Sequence, residues 1–214
     1  MDLAAGHISH PRGAVAIVPR SGGEAERTME RLETRLEGPI VVRPTVHRDR
    51  RGFFHESYRR SAFSELGIPE EFVQDNHSRS AHGVVRGLHF QVGAGMAKLV
   101  RCVRGAVTDV VVDLRRGSPA FGQWEAFPLD DENLHSLYCP IGFAHGICIT
   151  SDSADVLYKC SAYYDEGIER GIAYDDPDVG IEWPDVQLLP SERDANAPRL
   201  RDVEAELPFV YGAG

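Results

Sequence analysis

Residues 84–102 read VVRGLHFQVGAGMAKLVRC, and in this stretch one imidazole, His89, and one amine, Lys98, interrupt runs that otherwise look like apolar strands. Further along, DVLYKC carries the phenol of Tyr158. These are the parts needed to remove a proton beside a carbonyl: a base that titrates near neutrality, a cation for the enolate oxygen and a proton donor. Side chains alternate along a strand, so Lys98, Val100 and Cys102 share one face, as do Val156, Tyr158 and Cys160. If those faces line a barrel interior, His89, Lys98 and Tyr158 meet in one cavity. Residue type alone also allows a structural reading of each: a hydrogen-bonded histidine, a lysine reaching water and a core tyrosine with a wet tip.

Elements that would position such groups are legible in the turn spacing. Between residues 84 and 160, short β-rich runs (KLVRCV, AVTDVVVDL, QWEAFPL, HSLYC, AHGICI, DVLYKCSAYY) alternate with turns at Arg104-Gly105, RRGSP, DDEN, PIG and TSDS. That rhythm predicts an antiparallel sandwich or barrel. EGPIVVRPTV, broken by Pro39 and Pro44, is expected to be an edge strand. HRDRRGFFHESYRR offers a turn and a further strand. A short helix is expected at RSAFSELGIP, with Ser61 as N-cap and Gly67 as the left-handed stop. Residues 175–214 read as an irregular tail with one helix near the end, and residues 1–28, rich in Gly, Ala, Ser and Arg, as a flexible extension to a single domain at 29–214.

Bulk properties narrow the partners. A chain of 214 residues with 42% hydrophobic content suits one well-buried core. A formal charge of −10 argues against a nucleic-acid or membrane-surface partner, whereas one anionic ligand can bind where arginines gather. No apolar run approaches the roughly 18 residues of a membrane span, and MDLAAGHISHPRGAV lacks the layout of a secretory signal, so a cytoplasmic location is expected. Cys102, Cys139, Cys148 and Cys160 show no CxxC spacing and are read as buried thiols. His89-Phe90-Gln91 lacks an HxH pair and a protonated Lys98 is a poor ligand, so no metal is expected. VGAGMAK imitates a dinucleotide fingerprint, but Lys98 fills the third glycine slot and strand residues follow.

The ordered set FVQDNHSRSAHGVVRGLHFQ, AKLVRC, DLRRGSPAFGQW, GFAHG and LYKCSAYY strongly resembles the dTDP-4-dehydrorhamnose 3,5-epimerase family, from about Leu32 to Leu200. The resemblance implies a mainly β fold, a cupin-type double-stranded β-helix (jelly-roll) barrel with short peripheral helices. It also implies a cofactor-free and metal-free homodimer that shares strands between subunits. The implied reaction inverts C3 and C5 of dTDP-4-dehydro-6-deoxy-D-glucose through enolates, giving dTDP-4-dehydro-L-rhamnose. Some family members invert C3 alone, and His, Lys and Tyr cannot separate the two outcomes. A non-catalytic sugar-nucleotide-binding barrel would lack one of these groups, and none is missing.

Roles carried over by motif make His89 the base, Lys98 the enolate holder and Tyr158 the donor on the opposite face. A single base returning its own proton would only restore the starting centre. Asp194 of SERDANAP resembles the carboxylate that orients the histidine. The same SERD is a capping box with Asp194 three residues after Ser191. Arg51, Phe54, Glu56, Gln74, Asn76, Arg86, His145 and Tyr164 resemble residues around nucleotide, diphosphate and sugar, arginines suiting a diphosphate and aromatic rings a sugar or thymine. In an ideal strand Arg86 and His89 face opposite sides, so both reach one pocket only through a twist or bulge, expected at Gly87. Asp109 and Asp113 are read as structural.

Overall fold

In the computed structural model, residues 28–212 are described; the extension expected over residues 1–28 lies outside them except for Thr28. The chain runs through β1 (Met29–Leu32), β2 (Ile40–Pro44), the hairpin β3 (His47–Asp49) and β4 (Gly52–Phe54), and helix α1 (Arg60–Glu65). Then follow β5 (Gln74–Ala81), β6 (Val85–Gln91), β7 (Lys98–Arg104), β8 (Ala106–Asp113), β9 (Trp124–Asp130), β10 (Ser136–Cys139), β11 (Phe143–Ile149) and β12 (Ser153–Cys160). It closes with β13 (Glu169–Gly171) and the short helices α2 (Glu192–Ala195) and α3 (Leu200–Val203).

Two antiparallel sheets carry the fold, one in the order β1-β2-β10-β7-β12-β5 and one in the order β13-β6-β11-β8-β9. Together they make the double-stranded β-helix of the cupin type. Alternation along the strands builds three apolar layers. Val100, Val111, Leu137, Ile149 and Val156 meet between the sheets. Leu88, Val110, Val112 and Leu114 point the other way, against Ile172 and, from the tail, Leu200, Leu207 and Phe209. Phe63 of α1 packs on Ile40, Val42, Leu99 and Tyr138 outside the six-stranded sheet. β8 is therefore covered on both faces, and its valines divide between them, Val107 and Val111 on one and Val110 and Val112 on the other. Fully burying each such side chain contributes about 1.5–3 kcal/mol.

Three expectations are corrected. β2 is not an edge strand: it pairs with both β1 and β10, because Pro39 precedes it and Pro44 ends it, so neither proline breaks the ladder. The outer place goes to β1, a strand with no turn or alternation signal strong enough to announce it. The N-cap of α1 is Arg59, with no side-chain cap, and Ser61 lies inside the helix, whereas Gly67 does stop it at φ +92°. The tail, expected to be irregular with one helix near its end, holds two short helices instead, and its apolar residues cover the five-stranded sheet.

Candidate active site

β6 and β11 bring His89 and His145 directly opposite each other, whereas Ile147 pairs with Arg86. Two steps along β11 thus match three along β6, a bulge that falls at Gly87 and Leu88, joined by a cis peptide bond. Gly87 has φ +130°, and a Cβ there would lie 2.5 Å from the Cα of Gly146 and 2.8 Å from the carbonyl oxygen of His145, so only glycine fits. The extra residue resets the alternation. Arg86 and His89, which an ideal strand would set on opposite faces, both line a cavity of about 510 Å³ inside the barrel.

Lys98 and Tyr158 line the same cavity, from β7 and β12. Tyr158 pairs with Val100, two residues beyond Lys98, so the two functional groups share the inner face of the six-stranded sheet. The cross-strand neighbours of Lys98 are Cys139 and Cys160. Burial pushes the Cys139 thiol up to about 12, so it stays neutral. Among the described residues the Lys98 ammonium has no ion pair or hydrogen bond, which leaves it free for an oxyanion. Burial raises the Tyr158 pKa, with Cys160 and Glu169 adding to it and Arg86 opposing, so the phenol keeps its proton at neutral pH.

Asp194 arrives from outside the barrel on α2. Its Oδ1 lies 2.7 Å from Nε2 of His89, and its backbone N–H donates to the Ser191 hydroxyl at 3.1 Å. The Ser191 cap and the histidine pairing are therefore both realised, one by the backbone and one by the carboxylate of the same residue, whereas the reciprocal half of the capping box is not formed because that carboxylate faces His89. Burial works to raise the pKa of Asp194, but hydrogen bonds and charge from His89, with help from Ser191 and the Gly87 N–H, outweigh it and the net shift is downward. An ionised Asp194 accepts the proton on Nε2 of neutral His89, which leaves Nδ1 with the lone pair that can take a substrate proton.

A neighbouring cavity of about 430 Å³ has the His89–Asp194 pair as a shared wall but lies on the outer side of the five-stranded sheet, against Leu88, Phe90, Ile172 and Leu207. It lacks Lys98 and Tyr158, so proton chemistry belongs to the inner cavity.

This arrangement of base, orienting carboxylate, cation and phenol inside a cupin barrel can be set beside known proteins. The family model for dTDP-4-dehydrorhamnose 3,5-epimerase matches residues 33–202. The chain belongs to that family. A relative from Pseudomonas aeruginosa named dTDP-4-dehydrorhamnose 3,5-epimerase is 49% identical over 176 residues, 80% of this chain and 97% of the relative. A relative from Streptomyces niveus named dTDP-4-dehydrorhamnose 3-epimerase is 45% identical over 169 residues, 78% of this chain and 82% of the relative. The crystal structure of the Legionella pneumophila 3,5-epimerase in complex with dTDP-4-keto-L-rhamnose superposes with a TM-score of 0.83 at 44% identity, over 86% of this chain and all (100%) of that one.

The other residues matched to this epimerase family fall into two groups. His145 and Tyr164 line the inner cavity with Arg86, which donates from Nε to the Ser80 hydroxyl at 2.9 Å. Gln74 and Asn76 sit beside it on β5, opposite Cys160 and Tyr158, and the Gln74 amide oxygen accepts from the Tyr164 N–H at 2.9 Å. Arg51, Phe54 and Glu56 are not brought to the cavity. Arg51 pairs with Asp49 at 2.5 Å on the β3–β4 hairpin, Phe54 is 72% exposed, and Glu56 accepts from Arg59 at 2.9 Å.

Three residues escaped the sequence reading. Asp109, read as structural, is fully buried with its two carboxylate oxygens 2.9 and 3.0 Å from Nε2 of His145. The signal was available, since a carboxylate on an apolar strand needs a partner. Asp113 does stay structural, held by Arg115 and Ser118, each at 2.7 Å. Glu169 and Arg193, 2.5 Å apart, line the inner cavity, and Glu169 accepts from the Tyr164 hydroxyl at 3.1 Å. Nothing in the sequence around Glu169 announced it. Among the described residues no cluster of three or more His, Cys, Asp or Glu is placed to hold a metal ion.

Proposed function

We propose that the protein inverts C3 and C5 of dTDP-4-dehydro-6-deoxy-D-glucose, giving dTDP-4-dehydro-L-rhamnose. The observation that carries this reading is the His89–Asp194 pair at 2.7 Å, opening on a cavity that Lys98 and Tyr158 also line. The 4-keto group acidifies the protons on both flanking carbons, so a base and an oxyanion holder suffice without a cofactor. His89 takes the proton from C5, releases it to solvent and then takes the proton from C3, and the imidazolium formed each time is stabilised by Asp194. Lys98 holds the enolate oxygen. Tyr158 returns a proton from the other face, which is what turns exchange into inversion.

Arg86, with Tyr164 beside it, suits a diphosphate and a base or sugar ring. The exposed Arg51 and Phe54 and the half-buried Glu56 fit the same role across a dimer, the hairpin of one copy reaching the cavity of another. Strand sharing in such a homodimer would bury Phe54, which is 72% exposed in the single chain. Residues 29–214 act as one domain, and four free, buried cysteines accord with the reducing cytoplasm.

The test is proton exchange in D2O with dTDP-4-dehydro-6-deoxy-D-glucose, followed by NMR, with a reductase to trap the product and report its configuration. Deuterium at C3 and C5 with the L-lyxo product is expected. The similarity to the Streptomyces niveus 3-epimerase supports a second reading, C3 inversion alone, which would show as deuterium and inversion at C3 only. No exchange at either carbon overturns both.

A further inference from the structure

The inward face of β5 is polar throughout: Gln74, Asn76, Ser78 and Ser80 turn toward the barrel while Asp75, His77 and Arg79 turn out. Ser80, the last of the four, is 6% exposed and lies opposite Ala154 on β12. A buried hydroxyl needs a partner, and here the partner is Arg86, whose Nε donates to the Ser80 Oγ at 2.9 Å. The bond crosses from the six-stranded sheet to the five-stranded one, beside the inner cavity that Arg86 lines.

Other arginines of this acidic chain are matched with carboxylates: Arg79 with Asp155 and Arg115 with Asp113, each at 2.7 Å, and Arg193 with Glu169 at 2.5 Å. Arg86 differs. Among the described residues it makes no ion pair, and Ser80 is its one side-chain hydrogen-bond partner. The two carboxylates that line the cavity are already engaged, Asp194 by His89 and Glu169 by Arg193. A hydroxyl acceptor fixes the plane of the guanidinium without neutralising its charge, and it leaves both terminal nitrogens free to donate. A carboxylate in that place would compete with an anionic ligand.

We propose that Ser80 is a positioning residue: its hydroxyl holds the Arg86 guanidinium in the orientation that takes the diphosphate of the substrate. The proposal rests on the sugar-nucleotide reading above, which gives Arg86 to the diphosphate, and goes beyond it by assigning the group that orders that arginine. A long side chain loses rotamer freedom when a ligand immobilises it. Ser80 imposes that order beforehand, so its contribution falls on binding rather than on the proton steps at His89.

The test is calorimetric titration of the full chain with dTDP, together with steady-state rates, for wild type, Ser80→Ala, Arg86→Met and the double variant, with circular dichroism to check the fold. Ser80→Ala is expected to weaken dTDP binding by about 3- to 10-fold and to raise KM alike, with kcat within about twofold of wild type. In the Arg86→Met background the same change is expected to have no further effect, because Ser80 acts through that arginine. Ser80→Thr and Ser80→Val share one branched shape and differ in the hydroxyl, so they decide the matter if the alanine variant does not fold. Threonine is expected to bind dTDP as wild type does, and valine to show the loss of alanine. Folded alanine and valine variants within about 1.5-fold of wild type overturn the positioning role, as does a loss that persists undiminished in the Arg86→Met background or one confined to kcat. A wild-type chain that does not bind dTDP overturns the sugar-nucleotide reading and this proposal with it, whereas wild-type binding that the Ser80 variants leave intact overturns the proposal alone.

Discussion

Replacing Asp194 by Asn tests the assigned chemistry most directly. Asp194 Oδ1 lies 2.7 Å from Nε2 of His89, the carboxylate is nearly buried, and the imidazole side chain is 24% exposed. When His89 takes a proton, the two groups carry opposite charges centred about 4 Å apart, worth about 4 kcal/mol at an effective dielectric of about 20. Partial exposure of the imidazole reduces this, to about 2–3 kcal/mol. The asparagine retains a hydrogen-bonding group but loses the charge, so we predict a fall in kcat of about 30- to 150-fold. KM should change little, because Asp194 acts through His89. The assay is deuterium wash-in at C3 and C5 under single-turnover conditions. Ser191 still caps α2 through the backbone N–H of residue 194, so the fold should survive. Because the native pKa of Asp194 lies below its unfolded value, its charge stabilises the fold fully above about pH 4 and is lost only as the pH falls through the native value. At neutral pH the effect should therefore be independent of pH in stability and visible in rate. Wash-in within threefold of wild type, or a change confined to KM, would refute the reasoning.

Tyr158→Phe should leave deuterium exchange at one face measurable while cutting inversion by about 10²- to 10⁴-fold, which the ratio of wash-in to trapped product checks. Because burial raises the Tyr158 pKa, the wild-type rate should show no loss from this group until the pH exceeds its ordinary value of about 10, seen in a pH–rate profile. Lys98→Met should lower kcat by about 10²- to 10³-fold with the fold intact, because Lys98 has no partner among the described residues to strand, as a thermal melt would confirm. Gly87→Ala forces a Cβ to within 2.5 Å of Gly146 at φ +130° and should destabilise by about 2–4 kcal/mol in urea unfolding.

The strands between residues 84 and 160 could be read from the sequence because alternation and turn chemistry are local properties, carried by valine-rich runs and by turns such as Arg104-Gly105. The same locality made the pairing of Lys98 with Val100 and of Val156 with Tyr158 on single faces a safe deduction. The edge place of β1 and the inner place of β2 depend on which strands find each other across the chain, and proline positions alone misled there. Gly87 was legible as the site of a bulge because Arg86 and His89 had to be reconciled, but the steric demand that makes it glycine comes from Gly146 on another strand. Asp194 was legible as a cap, a matter of three residues. Its carboxylate reaches His89 across 105 positions only because the tail folds over the five-stranded sheet. Likewise the partnership of Asp109 with His145 and the rim formed by Glu169 and Arg193 arise from contacts between distant segments. Residue types and their alternation thus determined which chemistry this chain can hold. Packing alone decided which groups face the same cavity, because proximity across sheets leaves no local mark in a sequence.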